Sequence, residues 1–326
     1  MDINLKVCTI GGGSGMPIIN KALVQAGFRN ISSIVTIFDS GGDSGRMRTD
    51  ERGRVLAFSD YWRALISLWE DGEQKEVWEE MLRYRDGRGR NFGNTFFQFM
   101  SEKSGNLTNV EDLFSELTKA EICGKVIPVS LSPADVCFKT MTGKIYCGEH
   151  YMDEMRMSLD KINEVWLKPQ VDANIEALKA VKEAELIIFC PGSMYGSILT
   201  NLLPNGMIES YRQSKAKKIL MTNIMSAANE NDCFSQNEYV ETFGNFLGLP
   251  DPVDVVLMPD MDKLDKKLIS TVLMAYKLEH SAPIRYDKSS NHKTIVADIA
   301  TIDTTNMRLR HSVHKLKEFF LNFGRN

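Results

Sequence analysis

Four short tracts carry residue types whose spacing could do chemistry. The first, Ile10-Gly11-Gly12-Gly13-Ser14-Gly15-Met16, follows an apolar run and opens an amphipathic stretch. Glycines let the backbone turn sharply and bring N–H groups close to an anion, and a following helix adds unpaired donors and its positive dipole end. Gly11, Gly12, Gly13, Ser14 and Gly15 are therefore read as a phosphate cradle. It is neither a dinucleotide fingerprint, since Met16 stands where the third glycine belongs, nor a P-loop, since Gly-Lys-Ser/Thr is absent. The second tract runs from Phe38 to Arg48. Asp39 and Asp43 are its candidate catalytic acids, and Asp39 is the candidate magnesium ligand, because magnesium takes one or two carboxylates together with substrate phosphates. Gly41, Gly42 and Ser44 are read as further phosphate contacts, with Arg46 and Arg48 neutralising the anion.

The third tract, Arg83 to Asn94, places four arginines beside one aspartate before a helix signal. Its arginines suit a second anion or a solvated loop equally, and Asn94 is placed either to cap the helix or to meet a ligand. The fourth, Cys190-Pro191-Gly192-Ser193-Met194-Tyr195-Gly196-Ser197, again lies between an apolar run and a helix signal and repeats the cradle design. Gly192, Ser193, Tyr195 and Ser197 join the candidate set. Asn223 and Asn229, past the next apolar run, supply amides for a base or sugar. Two cradles imply a ligand with two ends.

The elements that must hold these tracts alternate along the chain. Apolar β-branched runs at Lys6–Ile10, Ile34–Phe38, Val126–Leu131, Leu186–Cys190, Ile219–Thr222 and Val253–Met258 predict strands, most of them covered on both faces. Three- and four-residue apolar spacing predicts helices over Met16–Ala26, Val55–Trp69, Glu76–Tyr84, Thr95–Ser101, Val110–Leu117, Val171–Glu183 and Asn237–Leu247. The alternation predicts an α/β fold, Rossmann-like and three-layer α/β/α, with a mainly parallel sheet whose strand ends hold the ligand. Val136–Met141 and Lys144–Cys147 around Thr142-Gly143 predict a β-hairpin inserted within about 132–170. A single α/β domain over 1–326 is expected, closed by helix over about 262–326. Met307–Phe323, with His311 and His314, reads as the closing helix rather than a metal site.

With 43% hydrophobic and 25% charged residues among 326, the chain has the apolar mass for a sizeable core. A net charge of -4 lacks the basic excess of a general nucleic-acid binder. The longest apolar runs fall far short of the roughly 20 residues of a membrane span, and no secretory signal opens the chain, so a cytoplasmic protein without a membrane or nucleic-acid partner is expected. Cys8, Cys123, Cys137, Cys147, Cys190 and Cys233 form no CxxC pair and predict neither a zinc site nor a disulfide framework.

Gly-Gly-Gly-Ser-Gly after the first strand, Ile-Val-Thr-x-x-Asp-x-Gly-Gly-x-Ser-Gly-Arg after the second, Gly93-Asn94, and Pro-Gly-Ser-Met-Tyr-x-Ser-Ile follow one another in that order. In order and spacing, from about residue 5 to 260, the chain resembles the CofD-like family of 2-phospho-L-lactate transferases and gluconeogenesis factors, nearer the latter. The resemblance implies a nucleotide diphosphate or nucleotide-linked donor at the strand ends, with Mg2+ as cofactor and Asp39 as its ligand. One branch implies a transferase in which an acceptor oxygen attacks phosphorus and expels nucleoside monophosphate. The other implies a UDP-sugar-binding regulator of central metabolism and cell shape. Ser40 stands where the family carries its second acid. A nicotinamide oxidoreductase, with Asp39 on a ribose hydroxyl, is the outside alternative, and Met16 argues against it. A homodimer is one expected assembly.

Overall fold

The computed structural model describes residues 3–51, 55–105, 109–231 and 234–323; Cys233 and the last residues of the expected closure lie outside them. Among the described residues the sheet carrying the fold is seven-stranded, in the order β10-β9-β8-β7-β1-β2-β3, and every pairing in it is parallel. Its strands are β1 (Val7–Gly11), β2 (Ile31–Val35), β3 (Gly124–Pro128), β7 (Leu186–Phe189), β8 (Lys217–Met221), β9 (Val255–Pro259) and β10 (Thr294–Ala297). β1, β7 and β9 are buried along their whole length, as parallel strands covered on both faces must be. Alternate residues divide between two cores: Val7, Leu186 and Ile188 pack on one face, and Cys8, Ile10, Ile187 and Phe189 on the other.

The helices are α1 (Gly15–Gln25), α2 (Gly42–Asp50), α3 (Ser59–Leu68), α4 (Glu73–Arg83), α5 (Phe92–Ser104), α6 (Val110–Thr118), α7 (His150–Glu154), α8 (Ile175–Glu183), α9 (Met207–Gln213), α10 (Gln236–Leu247), α11 (Lys266–Leu278) and α12 (Val313–Asn322). α1 buries Met16, Ile19 and Leu23 in the core shared with Leu316 and Phe320 of α12. The three-layer Rossmann-like α/β fold is thus present.

Several details differ from the sequence reading. β2 begins three residues earlier than its apolar run suggests, because Ser32 and Ser33 occupy ladder positions opposite Cys8 and Thr9, and the Ser33 and Thr9 hydroxyls bond each other at 2.8 Å. The stretch after β2, read as a loop, is the helix α2. It has almost no apolar periodicity; Arg48 holds it, donating to the Phe38 and Ala134 carbonyls and to Asp135. The inserted hairpin is present as β4 (Asp135–Thr140) and β5 (Ile145–Cys147), and gains β6 (Ile162–Lys168) on its other side. Cys137 and Cys147, expected to be free thiols, face each other across that hairpin and are disulfide-bonded. The expected helical closure is mixed: β11 (Ala300–Asp303) and β12 (Arg308–His311) pair antiparallel ahead of α12. Leu309 and His311 are buried while Arg310 between them is exposed, the two-residue period of a strand. No helix among the described residues is long and apolar enough to cross a membrane.

Candidate functional site

β1 lies between β2, the next strand in the chain, and β7, so the strand order reverses there. A parallel sheet opens a crevice beyond the strand ends at such a reversal. Here the crevice is a cleft of about 430 Å³. The β1 and β7 loops meet over it almost backbone to backbone. A Cβ on Gly15 would lie 1.8 Å from the Pro191 carbonyl oxygen, and one on Gly11 3.0 Å from the Cys190 Cβ. Gly13 takes a left-handed φ of 61°, and a Cβ on it would meet only the Ser197 Oγ, at 3.9 Å. Two amides brace the pair from outside: Asn201 donates to the Gly11 carbonyl at 2.9 Å, and Asn223 to the Gly192 carbonyl at 2.7 Å.

Of the residues singled out in the sequence, Gly13, Ser14, Gly15, Asp39, Gly192, Ser193, Ser197, Asn223, Asn229 and His311 line the cleft. Gly11 and Gly12 form the packed floor of the first loop; a Cβ on Gly12 would fall 2.4 Å from an Asp60 carboxylate oxygen. Asp39 accepts from the Gly41 N–H at 2.8 Å and from the Ser59 hydroxyl at 2.7 Å, which fixes its carboxylate at the cleft edge. Ser40 bonds the His150 ring at 2.9 Å.

The others lie elsewhere. Asp43, on α2, is buried behind the cleft. It accepts from Arg46 at 3.0 Å and from the Asn94 amide at 3.0 Å, and Asn94 in turn accepts the Trp62 indole N–H at 2.9 Å. Gly41 precedes α2, and Gly42 and Ser44 lie in its first turn. Tyr195 lines a different cavity. The arginines of the third tract lie outside the cleft: Arg83 pairs with Glu79, and the Asp86 carboxylate accepts the Arg88 and Arg90 backbone N–H groups.

The structure adds residues that spacing gave no means to find. Asp60 in the first turn of α3, Glu149, Asp153 and Glu230 bring further carboxyls to the cleft. Burial pushes Asp60 up to about 6, and the neighbouring Asp39 charge adds to this, against a bond from the Gly13 N–H. Glu149 is raised well above the carboxylate range by burial and then by Asp39, Asp153 and Asp60. Glu230 is also raised by burial, although it accepts the Ser193 hydroxyl and the Met194 N–H. Like charges gathered in one low-dielectric wall disfavour ionisation together. Among them stand Arg63, 3.6 Å from the Asp60 carboxylate, and Arg156, whose charge opposes the rise of Asp153 and Glu230, and the lining is completed by Arg310 of β12 and Tyr276 of α11. Asn229 Oδ1 and His311 Nε2, both in the lining, are buried without a hydrogen-bond partner. Burial lowers the His311 imidazole to about 4, so it is neutral at neutral pH. Asp60 carried one sequence signal, an acid inside the apolar run Phe58-Ser59-Asp60-Tyr61-Trp62.

The family model described as 2-phospho-L-lactate transferase CofD matches residues 7–304. The chain belongs to the CofD family. Among relatives of this CofD-family chain, proteins carrying the gluconeogenesis-factor name from Aquifex aeolicus and Thermotoga maritima are similar to it. The first is 31% identical over 276 residues, covering 81% of this chain and 82% of that one; the second is 30% identical over 329 residues, covering 96% and 98%. A crystal structure of a UPF0052-family protein from Bacillus halodurans superposes with a TM-score of 0.83 at 27% identity, covering 96% of this CofD-family chain and 98% of that one.

Proposed function

We propose that the cleft binds a nucleotide-linked diphosphate, with the phosphates against the Gly13–Gly15 and Gly192–Ser193 loops and a Mg2+ ion shared between Asp39 and the ligand's phosphate oxygens. The observation that carries this reading is the meeting of two glycine loops at the strand reversal beside carboxyls that raise one another's pKa. Backbone donors accept phosphate there, and a hard cation relieves the crowding of negative charge. Among the described residues no group of three or more His, Cys, Asp or Glu side chains is arranged to hold a metal by itself. That suits an ion brought with the ligand, since magnesium usually keeps only one or two protein carboxylates. Arg156 and Arg310 supply positive charge toward the phosphates, and Asn229 Oδ1 and His311 Nε2 wait for ligand polar groups. The gluconeogenesis-factor name of full-length relatives favours a regulator that senses a uridine-diphosphate sugar.

One observation favours a second reading, phosphodiester-forming transfer. Asp60, raised to about 6 beside Asp39, is suited to take a proton near neutral pH. An acceptor hydroxyl would lose its proton to Asp60 as its oxygen bonds to phosphorus, and nucleoside monophosphate would depart with the electrons of the broken P–O bond.

The deciding experiment is thermal shift and calorimetry with uridine- and guanosine-diphosphate compounds, with and without Mg2+, on the wild type and Asp39→Asn. A ligand at 100 times its Kd stabilises by about 2.7 kcal/mol. A magnesium-dependent shift that Asp39→Asn abolishes supports the site as drawn. No shift with any nucleotide overturns it. Release of nucleoside monophosphate only when a deazaflavin acceptor is added separates transfer from sensing.

A further inference from the structure

One wall of the cleft starts at a disulfide. Cys137 of β4 and Cys147 of β5 are linked across the inserted hairpin, and Gly148 leads from β5 into Glu149, Met152 and Asp153, which line the cleft. β5 is three residues long, lies at the edge of its sheet and pairs only with β4. The Gly148 N–H donates to the Val136 carbonyl at 2.8 Å and the Thr140 N–H to the Lys144 carbonyl at 2.9 Å, so residues 136 and 140 turn their backbone groups toward β5. Cys137 therefore meets Cys147 at a position without backbone bonds between the two strands, where side chains come closest and the sulfur bridge is the tie. Ile145 and Cys147 are exposed, so the strand's apolar anchor is Tyr146, stacked on Phe138 with ring centres 5.2 Å apart and touching Tyr151 of α7.

Past the hairpin the wall is held from the cleft side. The Ser40 hydroxyl, next to Asp39, accepts the His150 backbone N–H at 3.2 Å and bonds its ring at 2.9 Å. Asn229 donates to the Met152 carbonyl at 2.8 Å, and Met152 packs in the core. The disulfide is the covalent anchor at the upstream end of this wall.

The two sulfurs differ in access, since Cys147 is exposed and Cys137 is fully buried. Cys8, Cys123 and Cys190 are buried thiols that burial makes weaker acids, Cys123 at about 11 and Cys8 at about 12. Among the described cysteines, exchange chemistry is thus directed to Cys147. A dithiol thiolate that bonds to Cys147 Sγ breaks the S–S bond, and the Cys137 sulfur leaves with the electron pair and takes a proton. The dithiol's second thiolate attacks its own linked sulfur, Cys147 departs as a thiolate and takes a proton, and the dithiol leaves as a cyclic disulfide. The reverse exchange with a small-molecule disulfide restores the bridge.

We propose that the Cys137–Cys147 bridge is a reversible redox site, opened by dithiols at Cys147, and that opening it loosens the cleft wall at residues 148–153. The test compares the full chain treated with oxidised glutathione and with dithiothreitol. Peptide mapping after alkylation is expected to find the two cysteines linked in the first sample and both alkylated in the second. A pair that oxidised glutathione never links, or that dithiothreitol never opens, overturns the site. Amide exchange at Gly148 and His150 should be about ten-fold faster in the reduced chain while β1 is unchanged. Equal exchange in both forms, or a rise that extends to β1, overturns the local loosening. Cys147→Ser, at an exposed position, should exchange like the reduced chain and ignore dithiothreitol; a response that persists in this variant overturns the assignment to this pair. A looser wall should also weaken a uridine-diphosphate compound about five-fold. That effect rests on the diphosphate reading: equal affinity in both forms overturns the coupling to ligand, whereas binding to neither form speaks against that reading alone and leaves the exchange results to decide the switch.

Discussion

The cleft around the loops after β1 and β7 and the surroundings of the segment after β2 gather the same kinds of residue, glycines, serines, acids, an amide and an arginine, yet use them in opposite ways. Around the first pair, polar groups face an open cleft: Asn229 Oδ1 and His311 Nε2 lack partners, and Asp60 and Glu149 sit in mutual repulsion. After β2 only Thr36 and Asp39 reach that cleft. Asp43 turns inward, where Arg46, Asn94 and Trp62 close every bond in a chain of side chains. Residue type alone therefore does not separate ligand chemistry from internal bracing. What separates them is whether the hydrogen-bonding capacity is used up within the protein.

The largest expected effect falls on the closed side. Asp43→Ala leaves the buried Asn94 amide without its acceptor and takes from Arg46 one of its two carboxylate partners, the other being Asp50, and should cost about 3 kcal/mol in urea unfolding. Cleft binding should survive at temperatures where the variant is folded; lost binding with intact stability would erase the distinction between the two regions. A pH-dependent effect of opposite sign and no greater size is expected on the open side. Asp60 has a folded pKa of about 6, above the unfolded carboxyl near 3.9. Below pH 4 both states hold the proton and ionisation costs nothing. Between pH 4 and 6 the unfolded state ionises first, so stability falls, and the full cost is present above 6. Asp60→Asn should therefore match the wild type near pH 4 and exceed it by about 3 kcal/mol at pH 8, read from denaturant melts at both pH values. Saturating Mg2+ and diphosphate should shrink that advantage. The smallest effect is Gly13→Ala, whose methyl meets only Ser197 Oγ at 3.9 Å but must hold a φ of 61°, and should cost about 1 kcal/mol, seen as a lowered Tm.

Six of the seven strands of the sheet were legible because they hold apolar runs, whereas β10, four residues most of them half-buried, was not, and the loops after β1 and β7 were legible because glycine clusters bounded by a strand and a helix leave few alternatives. α2 was not, since it is held by Arg48 reaching distant carbonyls rather than by an apolar stripe. β12 was hidden for a related reason: four residues, Arg308–His311, are too few for a period-2 pattern to stand out beside the helix that follows. The acids of the cleft come from α3, the segment before α7 and the stretch after β8, and nothing local in sequence announces that the topology will gather them. The disulfide escaped for the same reason, since Cys137 and Cys147 become neighbours only once the hairpin register is set.

The cleft is bordered by Gly13 near one end of the chain and by Arg310 and His311 near the other, and α12 packs in the same core as α1. During synthesis the glycine loops leave the ribosome long before the wall opposite them exists. A nascent or prematurely terminated chain thus holds the glycine loops without the Arg310 and His311 wall. Ligand capture becomes a property of the finished molecule, and ligand added during refolding should stabilise only chains that have already brought their two ends together.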